Sequence, residues 1–294
     1  MPARDIALAA LVSVVWGFTF VANKLALEDF SAPQLTLLRF CIAALPVLWL
    51  TRPALPWRHL AAIGLTLFAG QFLLLFFAYE AGMPPGLASV TQQLHAFFTV
   101  LLAALFLAER PSRRQWCGIA VAFAGLGLIA LSVDGGNVGH AALALALASA
   151  LSWGIGNLLV KTAGPVAMPA LMAWASLVPP LPALALDLAL RPEAPLGAAL
   201  ADAGWTALAA VAYIGGVATI FAYAVWGGLL ARHPAALVAP FALLAPVTGM
   251  LASAAVFGEL FTPLRYAGMA AILAGLTVLV LPLRRPAASP AADA

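Results

Sequence analysis

Along most of this chain, polar and apolar residues do not alternate at the spacing of a half-buried helix or strand. Apolar residues run instead for about twenty positions at a stretch, the length a helix needs to cross about 30 Å of hydrocarbon. Ten such runs stand out, at 5–27, 33–51, 58–80, 85–108, 113–132, 139–161, 167–187, 204–230, 234–257 and 263–283. The breaks hold charged or turn-forming residues, among them Glu28-Asp29, Arg52-Pro53, Pro84-Pro85-Gly86, Glu109-Arg110-Pro111, Gly164-Pro165 and Arg232-His233-Pro234. Most connections are a few residues long, which makes neighbouring runs pack antiparallel. The longest, 188–203, carries Arg191-Pro192-Glu193. The pattern predicts an all-α integral membrane protein of ten transmembrane helices, with a disordered Ala/Pro-rich tail at 286–294.

Composition strengthens this reading. The chain is 64% hydrophobic and 9% charged, with a mean hydropathy of +1.04, against about 25% charged in soluble domains. A net charge of +3 comes from residues scattered at run ends rather than from a basic stripe with interleaved aromatics, so nucleic acid is excluded as a partner. Cys41 and Cys117 are isolated, with neither zinc-ligand spacing nor a disulfide framework, and no metal or cofactor is expected. No small-residue cleavage pattern follows the first run, so it reads as a mature helix.

With the N-terminus inside, the inner loops hold Arg4, Arg52, Arg58, Arg110, Arg113, Arg114, Lys161, Arg232, Arg284 and Arg285, and the outer loops only Arg191 and Arg265. That asymmetry predicts a multi-pass protein of the bacterial inner membrane with both termini cytoplasmic.

The chain also repeats itself. Trp16-Gly17 and Trp153-Gly154 are each followed by a lysine, Lys24 and Lys161, both offset by 137 positions; Glu109 matches Glu259, Gly118 matches Gly268 and Gly125 matches Gly275, all offset by 150. The halves, 1–135 and 136–285, contain five helices each. An odd number makes the second copy enter the membrane from the opposite side, giving an inverted repeat around a central cavity. These features resemble the drug/metabolite transporter superfamily, and specifically its EamA-type members, over essentially the whole chain. Within that family the chain is similar to bacterial exporters of aromatic amino acids and related metabolites. It departs from the family pattern in Ala108, which stands where glycine is usual, and in Ala96, where the second half has Pro246.

Polar groups inside a span are costly and mark cavities or partner contacts. The fourth run holds Thr91, Gln92, Gln93, His95 and Thr99, with positions 92, 95, 96 and 99 on one helical face. His95 lies roughly 21 Å along the helix from Glu109, near mid-membrane. Trp16, Gln71, Tyr79, Trp153, Asn157 and Tyr213 complete the expected substrate-binding set of eight with Gln92 and His95. Arg39 is expected to snorkel outward or to pair with Glu80 or Asp187, and Arg113 or Arg265 to compensate Glu109 and Glu259 at their helix ends. Prolines 179, 180, 182, 240 and 246 predict kinks in the seventh and ninth helices.

No Walker motif, GxSxG elbow or HExxH pair occurs, which argues against an ATP-driven pump or a membrane enzyme. No lysine/arginine cluster for a strongly anionic substrate occurs at mid-depth. The expectation is a monomeric secondary transporter that exports neutral amino acids, aromatic ones included, and related metabolites. The alternatives are export of other metabolites or aromatic cations, or a membrane enzyme. Mid-span carboxylates for a proton relay are absent, which favours facilitated export.

Overall fold

The computed structural model describes residues 1–132, 138–164, 166–233 and 235–280. Among these it contains ten apolar helices, here α1 (Ala3–Ala26), α2 (Ala32–Leu48), α3 (Trp57–Glu80), α4 (Pro85–Phe106), α5 (Arg113–Leu131), α6 (His140–Thr162), α7 (Met168–Leu190), α8 (Trp205–Arg232), α9 (Pro240–Phe257) and α10 (Pro263–Val280). Eight are long and apolar enough to cross a membrane; α2 and α10 are apolar but shorter. The 188–203 connection contains a short helix, Leu196–Asp202. No strand occurs among the described residues, and the tail expected at 286–294 lies outside them.

Helix starts are set by local chemistry. Ser31 and Ser112 each form a capping box, with the hydroxyl on the N3 amide and Gln34 or Gln115 reaching back to the cap. At their far ends α4 and α9 both stop in a left-handed residue, Ala108 (φ 53°) and Gly258 (φ 65°).

The helix interiors depart from ideal geometry at matching places in the two halves. α3 widens into π-helical turns at Gly64–Gly70, and α8 does so at Tyr213–Phe221. α4 tightens at Gln92–Gln93, where His95 N–H bonds the carbonyl three residues back, and a 3₁₀ stretch, Ala239–Leu243, leads into the α-helical part of α9. The kink expected in α7 falls at Ser176–Pro179, between helical segments Met168–Ala175 and Pro180–Leu190. In α8 the irregularity lies at its middle.

Close helix crossings also come in reciprocal pairs. A Cβ on Gly17 of α1 would strike Ala245 and Thr248 of α9, and one on Gly154 of α6 would strike Phe98 of α4, beside His95 and Thr99. Gly64 of α3 lies against Ala175 and Val178 of α7, and Gly215 of α8 against Arg39 and Ile42 of α2. Gly118 meets Gly275, and Gly125 meets Gly268, where α5 crosses α10. Each of these glycine contacts from one half to the other has a partner running the opposite way, the pattern that a two-fold relation between similar units produces. Small residues are what bring helices this close in lipid, where dispersion rather than the hydrophobic effect drives association.

Candidate functional site

Seven of the eight expected residues fall into three groups, and Tyr79 stands apart. The first lies between α4 and α6. The His95 imidazole stacks on the Trp153 indole, with centroids 3.7 Å apart and planes at 17°. Asn157, one turn beyond Trp153, places its amide nitrogen 3.3 Å from His95 Nδ1 and donates to Thr99 Oγ1 at 3.1 Å. An amide nitrogen can only donate, so Nδ1 accepts and the neutral ring carries its proton on Nε2. Gly154 makes the stack possible, since any side chain there would hold the α4 backbone away. The result is a half-buried plate of two aromatic rings bordered by an amide and a hydroxyl.

Gln92 and Gln71 sit deeper, among α3, α4 and α6. Gln92 is fully buried and bonded at both ends: its Nε2 donates to Ala146 O (3.0 Å) and its Oε1 accepts from Ser149 Oγ (3.2 Å). Ser149 also lies 2.6 Å from Gln71 O. In this structure the Gln92 side chain and the Gln71 backbone carbonyl tie α4 and α3 to α6, each such bond being worth about 0.6 kcal/mol on average in membrane proteins.

The third group joins α1 to α8. Trp16 Nε1 donates to Ala218 O (3.0 Å) inside the π-helical stretch, and its ring packs on Tyr223 and Trp226. Tyr213, at the start of that stretch, donates to Val15 O (2.7 Å) and meets Phe18 edge-on. A π turn pushes carbonyls out of ideal alignment, and a donor from the neighbouring helix uses one of them. Tyr79 stands apart near the end of α3, 1% exposed, its hydroxyl without a hydrogen-bond partner.

Two cavities lie elsewhere, and none of the eight residues lines either. One, of about 410 Å³, opens between Thr51–Ala54 and Ala163, Val166, Ala167 and Ala170. The other, of about 210 Å³, lies between α2, α7 and α8, walled by Pro46, Leu50, Met172, Ile220 and Tyr223 among others. Tyr223 links the second cavity to Trp16.

A profile of the "EamA-like transporter family" matches residues 4–131 and again 140–281. The chain belongs to that family. It is 39% identical over 291 residues to a "Probable amino-acid metabolite efflux pump" of Salmonella typhimurium and 38% identical to one of Escherichia coli, with 97% of each chain covered in both cases. It is 30% identical to a "Probable terminal-alkyne amino-acid exporter" of Streptantibioticus cattleyicolor, covering 95% of both. One solved crystal structure superposes with a TM-score of 0.62 at 19% identity, covering 92% of this chain and 95% of the other, a likeness of fold alone. The protein is thus a multi-pass membrane transporter of the EamA-like family.

The charged residues of this EamA-like transporter are arranged differently from expectation. Glu109 pairs with Lys161 at 2.5 Å, and Glu259 accepts from Gly86 N at 3.0 Å; Arg265 instead bonds Ser132 at the end of α5. Burial of the Glu259 carboxyl pushes its pKa above the ordinary 4.5, outweighing the Gly86 N–H and Lys24, which favour the charged form.

Arg39 neither snorkels nor forms an ion pair. Glu80 takes the Ala32 N–H and Arg191, and Asp187 takes Ser31. Arg39 is instead 4% exposed between α1, α2, α3 and α8. Its Nη1 lies 3.5 Å from Asn23 Oδ1, its Nη2 3.3 Å from Thr219 Oγ1, and its guanidinium 3.9 Å from the Phe72 ring centroid. Asn23, Thr219 and Phe72 were missed in the sequence, where the only available signal was an arginine about six residues into an apolar run.

Proposed function

We propose that this protein exports amino acids, aromatic and other neutral ones, and related small metabolites across the bacterial inner membrane by alternating access. In this reading all ten apolar helices cross the bilayer, in two inverted five-helix halves (1–135 and 136–285) with both termini cytoplasmic, and the monomer is the transporting unit. The observation that carries the proposal is the His95–Trp153 stack with Asn157 and Thr99 on its border, within a chain that matches amino-acid efflux pumps end to end. Rings at mid-depth offer stacking and apolar contact, and neutral hydrogen-bonding groups orient an amino or carboxylate group without selecting for a strongly charged solute. Trp16 and Tyr213 supply a second aromatic surface at the α1–α8 contact.

The reciprocal crossings support inverted halves, since two similar units related in this way can exchange conformations to open one face and then the other. The irregular stretches in α3, α4, α8 and α9 are the segments best suited to bend during that exchange. The lack of mid-span carboxylates supports facilitated export down a gradient.

The test is reconstitution in proteoliposomes with Phe, Trp, Leu, Thr, Glu and a sugar phosphate, with and without an uncoupler. Uptake and counterflow of the neutral amino acids, unaffected by the uncoupler, is the expected result. Transport of the sugar phosphate alone rejects the substrate class, and strict dependence on the proton gradient rejects facilitated export. Cysteines placed at 110–113 should react from the inside only and those at 134–138 from the outside only.

A further inference from the structure

We infer that Arg39 is the recognition group for the carboxylate of the transported solute, held among Asn23, Tyr79 and Thr219. The inference deepens the reading of the protein as an amino-acid exporter and rests on it. Three observations support it. The guanidinium is buried, yet among the described residues it has no carboxylate partner. A cation withdrawn from water in this way ordinarily has a counter-charge or marks a functional path.

Second, its present bonds are weak. Charge-assisted N–H···O contacts run at about 2.7–2.9 Å. Those of Arg39 to neutral side-chain oxygens are 3.3 and 3.5 Å, and its Nε donates to nothing. The Tyr79 hydroxyl, buried beside Asn23 and Arg39, also makes no hydrogen bond of ordinary geometry. Two donors that fit a carboxylate therefore stand without a well-formed partner in one buried region.

Third, the region adjoins space for the rest of a small solute. Thr219, which holds Arg39 Nη2, also lines the 210 Å³ cavity, together with Tyr223, Pro46, Met172 and Ala173. The lining is chiefly apolar, suited to the side chain of a neutral amino acid. Phe72, over the guanidinium face, leaves the planar edge of Arg39 as its route to a ligand, and that edge is the one that binds carboxylates in bidentate fashion.

The experiment compares L-phenylalanine with L-phenylalaninamide and 2-phenylethylamine in proteoliposomes, using wild type, Arg39→Gln, Arg39→Lys and Tyr79→Phe. Wild type should transport the acid at least tenfold faster than either carboxylate-free analogue. Arg39→Gln should lose the acid transport and that discrimination together, while Arg39→Lys retains part of both. Tyr79→Phe should raise KM for the acid severalfold with kcat little changed. Equal transport of acid and amide by wild type overturns the inference whether or not the Arg39 variants fold. So does a monodisperse Arg39→Gln protein that keeps wild-type KM and discrimination. If wild type transports none of the neutral amino acids, the exporter reading fails instead, an outcome separable from the other two.

Discussion

The α1–α9 crossing and the α6–α4 crossing follow the same backbone plan but carry different chemistry. Gly17 nests on Ala245, Thr248 and Gly249; Gly154 nests on His95, Phe98 and Thr99, at positions related by the same offsets of 137 and 150. Each glycine follows a tryptophan. Around Trp153 lie His95, Thr99 and Asn157, whereas the matching positions around Trp16 hold Ala245, Gly249 and Phe20. The α2–α8 contact shows the same bias, since Arg39 has Ala175 as its counterpart at the α7–α3 contact. Packing in the two halves is thus similar, while His95, Thr99 and Arg39 all come from the first half and Asn157 from the second. Helix approach depends on small residues at fixed spacing and is indifferent to what borders them.

The largest expected effect comes from attacking the shared plan. At the α5–α10 crossing a Cβ on Gly125 would sit 2.6 Å from Gly268 O and 2.8 Å from Ala271 Cβ, neither of which is a flexible side-chain end. Gly125→Leu should therefore cost about 3 kcal/mol or more, the upper range for overpacking. Low yield and loss of a monodisperse peak in detergent are the measured outcome. A well-folded Gly125→Leu protein would show that the α5–α10 crossing is not a fixed element of the fold.

Next comes the chemistry that differs. His95→Ala gives the first half the residue of the second, removing the imidazole while leaving the glycine contact in place. Transport of neutral amino acids should fall at least tenfold, about 1.4 kcal/mol of transition-state stabilisation, with the thermal midpoint nearly unchanged. Wild-type rates in a folded His95→Ala protein would assign the stack to packing.

How far the sequence foretold this arrangement differs between helix and site. The apolar runs match the ten helices to within a few residues, because hydropathy and turn residues act locally. The glycines of the Trp-Gly repeat lie at the α1–α9 and α6–α4 crossings, because close approach requires small residues wherever it occurs. The site was less legible. Gln92, His95 and Thr99 all meet α6, as their spacing on one face implies, but the spacing does not tell that Gln92 is bonded at both ends while His95 stacks on Trp153. The Glu109–Lys161 pair joins residues far apart in sequence, and a lone arginine in an apolar run reads the same whether it snorkels outward or turns inward.

The two glutamates at the ends of α4 and α9 extend the comparison at smaller scale. Glu109 is half-exposed in its pair with Lys161, and such a pair is worth about 0–1 kcal/mol. Glu259 is more enclosed, and its raised pKa means the folded protein binds that proton more tightly than the unfolded chain. Its protonated form therefore contributes stability that is fully present below the unfolded value of 4.5 and is lost as pH rises through the higher folded value. Glu259→Gln keeps an oxygen for Gly86 N–H but does not titrate. It should remove part of the fall in thermal midpoint as pH rises from about 4.5 toward neutrality. A Glu259→Gln protein with the wild-type slope would show that burial of this carboxyl does not set the pH dependence of stability.

The smallest effect concerns Ala108, one of two points, with Ala96, at which the first half departs from both the second half and the family pattern. Ala108 and Gly258 occupy the same left-handed position after their helices, and only glycine does so without a clash between Cβ and backbone. For alanine the conformation costs roughly 1–2 kcal/mol. Replacing it with glycine gives back about 0.4–1 kcal/mol through the greater freedom of the unfolded chain. Ala108→Gly should therefore stabilise the protein by roughly 0.5–1 kcal/mol, the difference between those two terms, and Gly258→Ala should destabilise it by a similar amount. Because Ala108 is exposed, no repacking obscures the backbone term. Thermal midpoints in detergent should move in opposite directions by about 1–3 °C, given how weakly a large chain's midpoint responds to a small energy. A drop for Ala108→Gly would mean that the alanine methyl makes a contact worth more than the strain it imposes, and that the two helix ends differ in more than one residue.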